Sequence, residues 1–242
     1  MRAVIIKNAI REGGGLIESV LTDAGIAWDV IDLDAGDPFP APETYDMVFL
    51  LGGSDSATDD TAKMRREREA VAGILREGIP FFGICLGMQV LGLTAGGKVA
   101  KSPYPEIGVR DRVGRLFCFT LTADGGRDPL CDGLPTSIPV FQLHGDTIVP
   151  ARGITVLATG DLCRIQLIKA GTYAYGIQGH LEMTHGMIVR WADEDPDLSA
   201  LDRDRLIADF TQYEEEYARH ARIILKNFIA IARERTHQAQ GR

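Results

Sequence analysis

The segment Gly83-Ile84-Cys85-Leu86-Gly87 carries the clearest chemistry in the chain. It follows the apolar run Ile79 to Ile84 and precedes a helix-like run, Leu86 to Leu93. A sharp strand-to-helix turn of this kind pushes a nucleophile into a cleft, and small residues on either side let the chain turn without clashing. The Cys85 thiol then sits at a helix N-terminus, where the positive end of the dipole favours thiolate. The Leu86 N–H is placed to meet a reacting carbonyl as an oxyanion donor. An inert buried cysteine is the competing reading, and the strand and helix on either side favour the nucleophile. Cys118, Cys131 and Cys163 have no such setting and read as small buried apolar residues. No C-x-x-C pair points to a metal or redox site.

A thiol nucleophile needs a base, and the base needs an orienting group. Of the five histidines, His220 falls on a C-terminal apolar stripe and His237 in the tail. His180 stands two residues before Glu182, just after the apolar run Tyr173 to Gln178. If that run is a core strand, the pair lies at its C-terminal edge, where open α/β sheets build their sites. The i, i+2 spacing lets both side chains leave on one side, so Glu182 can accept from one ring nitrogen while the other faces Cys85. His185 is near but has no carboxylate two residues on. A loop histidine with hydrogen bonds of its own is the alternative for His180. Gly52-Gly53 permits close backbone approach to a ligand, although taken alone a plain strand-to-loop turn is the preferred reading. Gly13-Gly14-Gly15 lacks G-x-G-x-x-G and a following Lys-Ser/Thr, so it is not read as a phosphate loop.

The elements that must position these groups alternate along the first half. Strands are predicted at Ala3 to Ile6, Ala27 to Leu33, Asp46 to Leu51 and Ile79 to Ile84. Helices are predicted at Leu16 to Ala24, Thr61 to Glu77 and Leu86 to Leu93. This order implies an α/β layer fold with a mainly parallel sheet flanked by helices. The second half predicts added antiparallel strands at Ile107 to Val113, Leu116 to Leu121, Ile154 to Thr159, Arg164 to Lys169 and Tyr173 to Ile177. From Asp202 to Arg235, Leu206, Phe210, Tyr213, Tyr217, Ile224, Phe228 and Ile231 form one helical stripe. Gln238 to Arg242 reads as a frayed tail.

Composition bounds the function. The 242 residues are 45% hydrophobic and 25% charged, with a net charge of −8. Excess negative charge argues against a nucleic-acid or anionic-membrane partner. No apolar run reaches the ~18 residues of a membrane span, and the start turns polar at Lys7, too soon for a signal-peptide core. A cytoplasmic protein is expected. The expected organisation is a single domain over 1–242, with a core of 1–195 and a C-terminal helical extension of 196–242.

Five motifs together resemble one family. They are Leu51-Gly52-Gly53-Ser54, Gly83 to Gln89, Pro105-Glu106-Ile107-Gly108, Leu143-His144-Gly145-Asp146 and Gly176 to Glu182. In type and order they resemble the class I, triad-type glutamine amidotransferases. The long C-terminal helix and stand-alone chain are most similar to free-standing members, some akin to the amidotransferase domain of GMP synthetase and others to γ-glutamyl peptidases. The resemblance implies a flavodoxin-like layer architecture. It implies Cys85 as nucleophile, His180 as base and acid, Glu182 as orienter, and the Gly53 and Leu86 N–H groups as oxyanion hole. It implies that Gln89 and the His144-Gly145-Asp146 stretch hold the glutamine α-carboxylate and α-amino group. Such a site needs a donor for one charge and an acceptor for the other. Two departures stand out: Leu181 replaces the proline usual between the histidine and glutamate, and Val109 replaces an aromatic often found there.

The expected reaction is hydrolysis of the glutamine side-chain amide through a γ-glutamyl thioester, with no metal and no cofactor. Ammonia would pass to a separate synthetase partner, because the chain shows no ATP-binding loop. A γ-glutamyl peptide or amide hydrolase would use the same triad on another leaving group. A non-catalytic glutamine-binding module is the third reading.

Overall fold

Alternating side chains along short, buried strands divide the interior in two. The computed structural model describes the backbone of residues 1–240 and the side chains of residues 1–238. The first half holds β1 (Arg2–Lys7), α1 (Leu16–Asp23), β2 (Ala27–Asp32), β3 (Met47–Leu50), α2 (Ala62–Glu77), β4 (Phe81–Ile84) and α3 (Leu86–Thr94). Ala3 and Ile5 of β1, Phe49 of β3, and Phe82 and Ile84 of β4 face one core. Val4, Ile6, Val48, Leu50 and Phe81 face the other, against Met64, Val71 and Ile74 of α2 and Val90 and Leu91 of α3. Burial on both faces explains why these strands read as continuous apolar runs.

The second half holds β5 (Lys98–Gly108), β6 (Cys118–Leu121), β7 (Ser137–Pro139), β8 (Gln142–Val149), β9 (Ile154–Gly160), β10 (Leu167–Ala170) and β11 (Ala174–Ile177). Helices α4 (His185–Glu194), α5 (Pro196–Ser199) and α6 (Arg203–Gln240) follow. The main sheet has nine strands in the order β2-β1-β3-β4-β11-β10-β9-β6-β7. The first five run parallel, and the remaining pairs are antiparallel. The architecture is therefore a mixed sheet with flanking helices, parallel through its first five strands and antiparallel beyond, and β11, expected among the added antiparallel strands, instead pairs parallel to β4. β5 and β8 form a separate two-stranded ribbon.

The expected elements of the first half fall where the strands and helices lie. The second half differs in places. The strand expected at Ile107 to Val113 instead runs from Lys98 to Gly108 and takes in Ser102 to Glu106, which reads as a loop in sequence. Its proline-bearing middle, with Pro103 and Pro105, sits where the register with β8 breaks between Lys101 and Glu106. No ladder donor is needed there. The strand ends at Gly108, whose φ is +85°. Asp111 then folds the next residues into a turn by accepting from the Val113 and Arg115 N–H groups. β6 and β10 begin later than expected, and β7, β8, α4 and α5 carry no expectation from sequence.

α6 spans 38 residues, about 57 Å at ~1.5 Å per residue. Its Phe228 ring sits edge-on to Phe49 and Phe82, each 5.3 Å away between centroids. Arg235 donates to the Glu77 and Gly78 carbonyls at the C-terminal end of α2. Helical structure continues to Gln240, past the point where the frayed tail is expected to begin, and the Tyr173 hydroxyl donates to Gln238 Oε1 at 3.0 Å. The rest of that expected tail, residues 241–242, lies outside the described residues. Among the described residues, no helix is long and apolar enough to cross a membrane.

Candidate active site

β4 and β11 are parallel neighbours paired Ile84 to Ile177, so the residues just beyond each emerge at one sheet edge. That register brings the two candidate catalytic segments together from distant parts of the chain. Cys85 has φ +51° and ψ −105°, and among the described residues it is the non-glycine residue at positive φ. Such a conformation costs on the order of 1–3 kcal/mol and clusters at functional sites. The elbow holds because its backbone is tied: the Cys85 N–H donates to the Ile177 carbonyl at 2.8 Å, and its carbonyl accepts from the Gln89 N–H at 3.1 Å. The flanking glycines are required. A Cβ on Gly83 would lie 2.4 Å from the Gly87 carbonyl carbon, and one on Gly87 would lie 2.1 Å from the Leu50 oxygen.

Cys85 lines an open cleft of about 410 Å³. Gly53, Leu86, Gln89, His144, Gly145 and Asp146 line it too, so the cleft gathers all the expected oxyanion and substrate-contact residues. Leu86 is the first residue of α3, where the helix leaves N–H groups without an internal partner. Gly53 packs so closely on Asn8 that a Cβ there would come within 2.6 Å of the Asn8 Cβ.

His180 lies three residues past β11. Its N–H donates to the Phe141 carbonyl at 2.8 Å, and its carbonyl accepts from the Tyr217 hydroxyl of α6 at 2.9 Å. The ring stands edge-on to Trp191, 5.2 Å away. His180 Nδ1 and Glu182 Oε1 are 2.6 Å apart, and Glu182 Oε2 accepts from the Leu181 N–H at 2.9 Å. His180 Nε2 is buried with no hydrogen-bond partner in the protein. Burial pulls the ring's pKa down, but the Glu182 charge and the Cys85 sulfur overcome it and hold His180 well above its ordinary value. A ring held that way favours its protonated form, which can donate from both nitrogens. The other thiols are suppressed by burial: Cys131 is pushed up to about 12, Cys163 to about 11, and Cys118 upward.

Gln89 is buried, and its Nε2 donates to the Asp146 carbonyl at 3.4 Å. The Asp146 carboxylate meets Lys101 Nζ at 2.7 Å. His144 faces inward: Nδ1 pairs with the Asp146 carbonyl and Nε2 with Glu106 Oε2, each at 3.0 Å. Both ring nitrogens are thus occupied, and Gly145 and Asp146 are the parts of that stretch left to meet a ligand. Glu106, His144 and Cys163 also bring metal-type donor atoms within 4.8 Å of one another. Both Glu106 oxygens are engaged there, accepting from the Cys163 N–H at 3.2 Å and Gln166 Nε2 at 3.0 Å as well, so the cluster reads as a hydrogen-bonded brace beneath the cleft.

Several residues near the site take no role from the sequence. Gln178 Nε2 points to the Cys85 sulfur at 3.9 Å, and its place two residues before His180 was the available signal. Gly15, at φ +47°, lets the Leu16 N–H donate to the Glu182 carbonyl at 2.9 Å. A Cβ on Gly15 would lie 2.1 Å from that oxygen, so the last glycine of the triplet serves close packing at the His180–Glu182 loop. His185 opens α4 and pairs with Glu214 at 3.5 Å, while His220 is buried on α6.

Comparison with known proteins agrees with this geometry. A family model described as glutamine amidotransferase class-I matches residues 15–188. The glutamine amidotransferase-like protein YfeJ of Salmonella typhimurium is 28% identical over 191 residues, covering 76% of this chain and 77% of that protein. The glutamine-hydrolyzing GMP synthase subunit of Sulfurisphaera tokodaii is 30% identical over 150 residues, covering 61% of this chain and 73% of its own length. The whole GMP synthase of Leifsonia xyli is 36% identical, but the match spans 26% of its length. The crystal structure of a glutamine amidotransferase from Thermotoga maritima superposes with a TM-score of 0.83 at 26% identity, covering 95% of this chain and 98% of that one. The family match runs from the first turn of α1 into α4 and includes the elbow and the His180–Glu182 pair, and on that ground the chain belongs to the class I glutamine amidotransferase family.

Proposed function

We propose that this protein hydrolyses the side-chain amide of glutamine through a Cys85, His180, Glu182 triad. The observation that carries the reading is the strained Cys85 elbow opening into a cleft beside a buried imidazole fixed 2.6 Å from a carboxylate. The Cys85 sulfur attacks the amide carbon, and negative charge moves onto the carbonyl oxygen. The Gly53 and Leu86 N–H groups meet that charge, and each such donor is worth a few kcal/mol. The cationic His180 ring protonates the leaving nitrogen, the C–N bond breaks, and ammonia departs from a γ-glutamyl thioester. The ring, now neutral, takes a proton from water as the water attacks the thioester. Glutamate leaves, and the sulfur is restored. Glu182 keeps the ring in the tautomer and orientation that both steps need.

In this reading Gln89, Gly145 and Asp146 hold the amino-acid end of the substrate. The ammonia serves a separate acceptor enzyme, as fits a relative named as one subunit of a GMP synthase. The test is mass-spectrometric capture of a γ-glutamyl adduct on Cys85 from glutamine and a panel of γ-glutamyl amides. Cys85→Ala should lose the adduct and essentially all turnover while staying folded. Turnover near that of the unmodified protein would refute the nucleophile. A hundredfold preference for a γ-glutamyl peptide over glutamine (about 2.7 kcal/mol) would replace the ammonia-donor reading with the peptide-hydrolase one.

A further inference from the structure

Glu12 lies in the loop between β1 and α1, and the proposed amide hydrolysis gives it no task. It is 5% exposed, and its Oε2 has no hydrogen-bond partner. A buried polar atom left unpaired is costly and calls for an explanation. A methyl group placed on Gly52 would meet Glu12 Oε1 at 2.8 Å and Oε2 at 3.4 Å, and also His180 Cε1 at 3.1 Å. The carboxyl and the imidazole edge therefore converge on one point beside the Gly52 backbone, one residue before the candidate oxyanion donor Gly53. The charged groups that face Glu12 are His180 and Glu182 from the loop after β11 and Arg11 from its own loop, with the Gly52 N–H at the end of β3. Arg11 already pairs with Asp195 at 2.6 Å. His180, whose Nδ1 is taken by Glu182, is thus the cation that Glu12 faces on the side of the site.

We infer that Glu12 is a positioning residue for the proposed amide chemistry: its carboxylate faces the Cε1 edge of His180 and the Gly52 peptide, and so sustains the cationic ring that protonates the departing nitrogen. The inference rests on the reading of Cys85, His180 and Glu182 as a triad. Burial pushes the Glu12 carboxyl up to about 7, opposed first by the charge of His180. The coupling is reciprocal, so an ionised Glu12 raises His180 as His180 lowers Glu12. Below about pH 7 Glu12 is neutral and the ring relies on Glu182 and Cys85. Above it, the second carboxylate extends the life of the imidazolium to higher pH.

The experiment compares the full chain with Glu12→Gln, which keeps shape and removes the charge. ¹⁵N NMR of the His180 ring should show its midpoint falling by about one pH unit. The alkaline limb of kcat/KM for glutamine should fall with it, about tenfold in rate just above the limb, with KM unmoved because Glu12 does not line the cleft. A His180 midpoint unchanged within about 0.2 unit overturns the role. If the variant does not fold, the unmodified protein decides: the Glu12 ¹³C carboxyl and His180 ¹⁵N signals should each show two coupled steps, and a single independent step in each overturns the role. Cys85 labelling by a glutamine-like electrophile separates the two levels. Labelling with an unmoved His180 midpoint refutes Glu12 alone, and a folded protein that does not label refutes the triad reading beneath it.

Discussion

Replacing Glu67 by glutamine should shift this protein's stability in the variant's favour as pH rises. Glu67 is buried on α2. Asn8 Nδ2 donates to its Oε2 at 3.2 Å, its Oε1 has no partner, and Asn8 in turn backs Gly53. Burial raises the carboxyl from 4.5 to about 7, against the Asn8 hydrogen bond and the nearby charges of Lys63 and Arg68. Between those two values the folded protein keeps a proton that the unfolded chain has released. Stability therefore falls as pH rises through that window and levels off above it. A rise of about two and a half units corresponds to ~3 kcal/mol. Glu67→Gln stays neutral throughout, so it escapes this loss. Whatever fixed cost or gain the substitution brings is the same at every pH and drops out of the comparison. Glu12 titrates alike in both proteins and drops out too. The assay is paired urea denaturation at about pH 4.5 and about pH 8, with the variant's advantage growing by ~3 kcal/mol between them. A difference that stays constant within about 0.5 kcal/mol would show that Glu67 is not carried neutral by burial, and would refute the reasoning.

Two further outcomes follow from the site. His180→Ala should lower kcat for glutamine by roughly 10⁵-fold or more, and Glu182→Gln by about a hundredfold less, because the second disturbs orientation and imidazolium stabilisation rather than removing the proton carrier. The Glu182 oxygens serve His180 and the Leu181 N–H, and an amide can accept from one of these donors only. Steady-state kinetics showing the reverse ranking would count against the assigned roles. Tyr217→Phe should cost about 1–3 kcal/mol in urea denaturation and lower kcat, since the Met183 N–H loses its acceptor and the His180 carbonyl its donor. Unchanged stability and turnover would mean that α6 does not brace the loop carrying His180.

The parallel half of the fold and the candidate triad were legible because each rests on local signals. Buried strands such as Ala3 to Ile6 and Met47 to Leu50 are apolar throughout, and the elbow's glycines are demanded by contacts of 2.4 Å or less. The β5–β8 ribbon was not legible, because β5 is largely exposed and carries two prolines where its ladder breaks. α4 stayed hidden as well, although Thr184 caps it by accepting from the Met187 N–H. Glu12, Glu67 and Tyr217 belong to no motif. Their roles come from what the fold sets beside them, and a single acid or a stripe tyrosine does not announce its neighbours.

The bond from Tyr217 to the His180 loop has a consequence for the order in which the chain is built. A ribosome delivers the elbow and the imidazole well before it delivers the residue that ties the imidazole's backbone in place. Folding that follows synthesis completes domains from the N-terminal side onward. A nascent chain halted between these points would hold Cys85 and His180 without that anchor, so on the proposed chemistry competence would await the docking of α6.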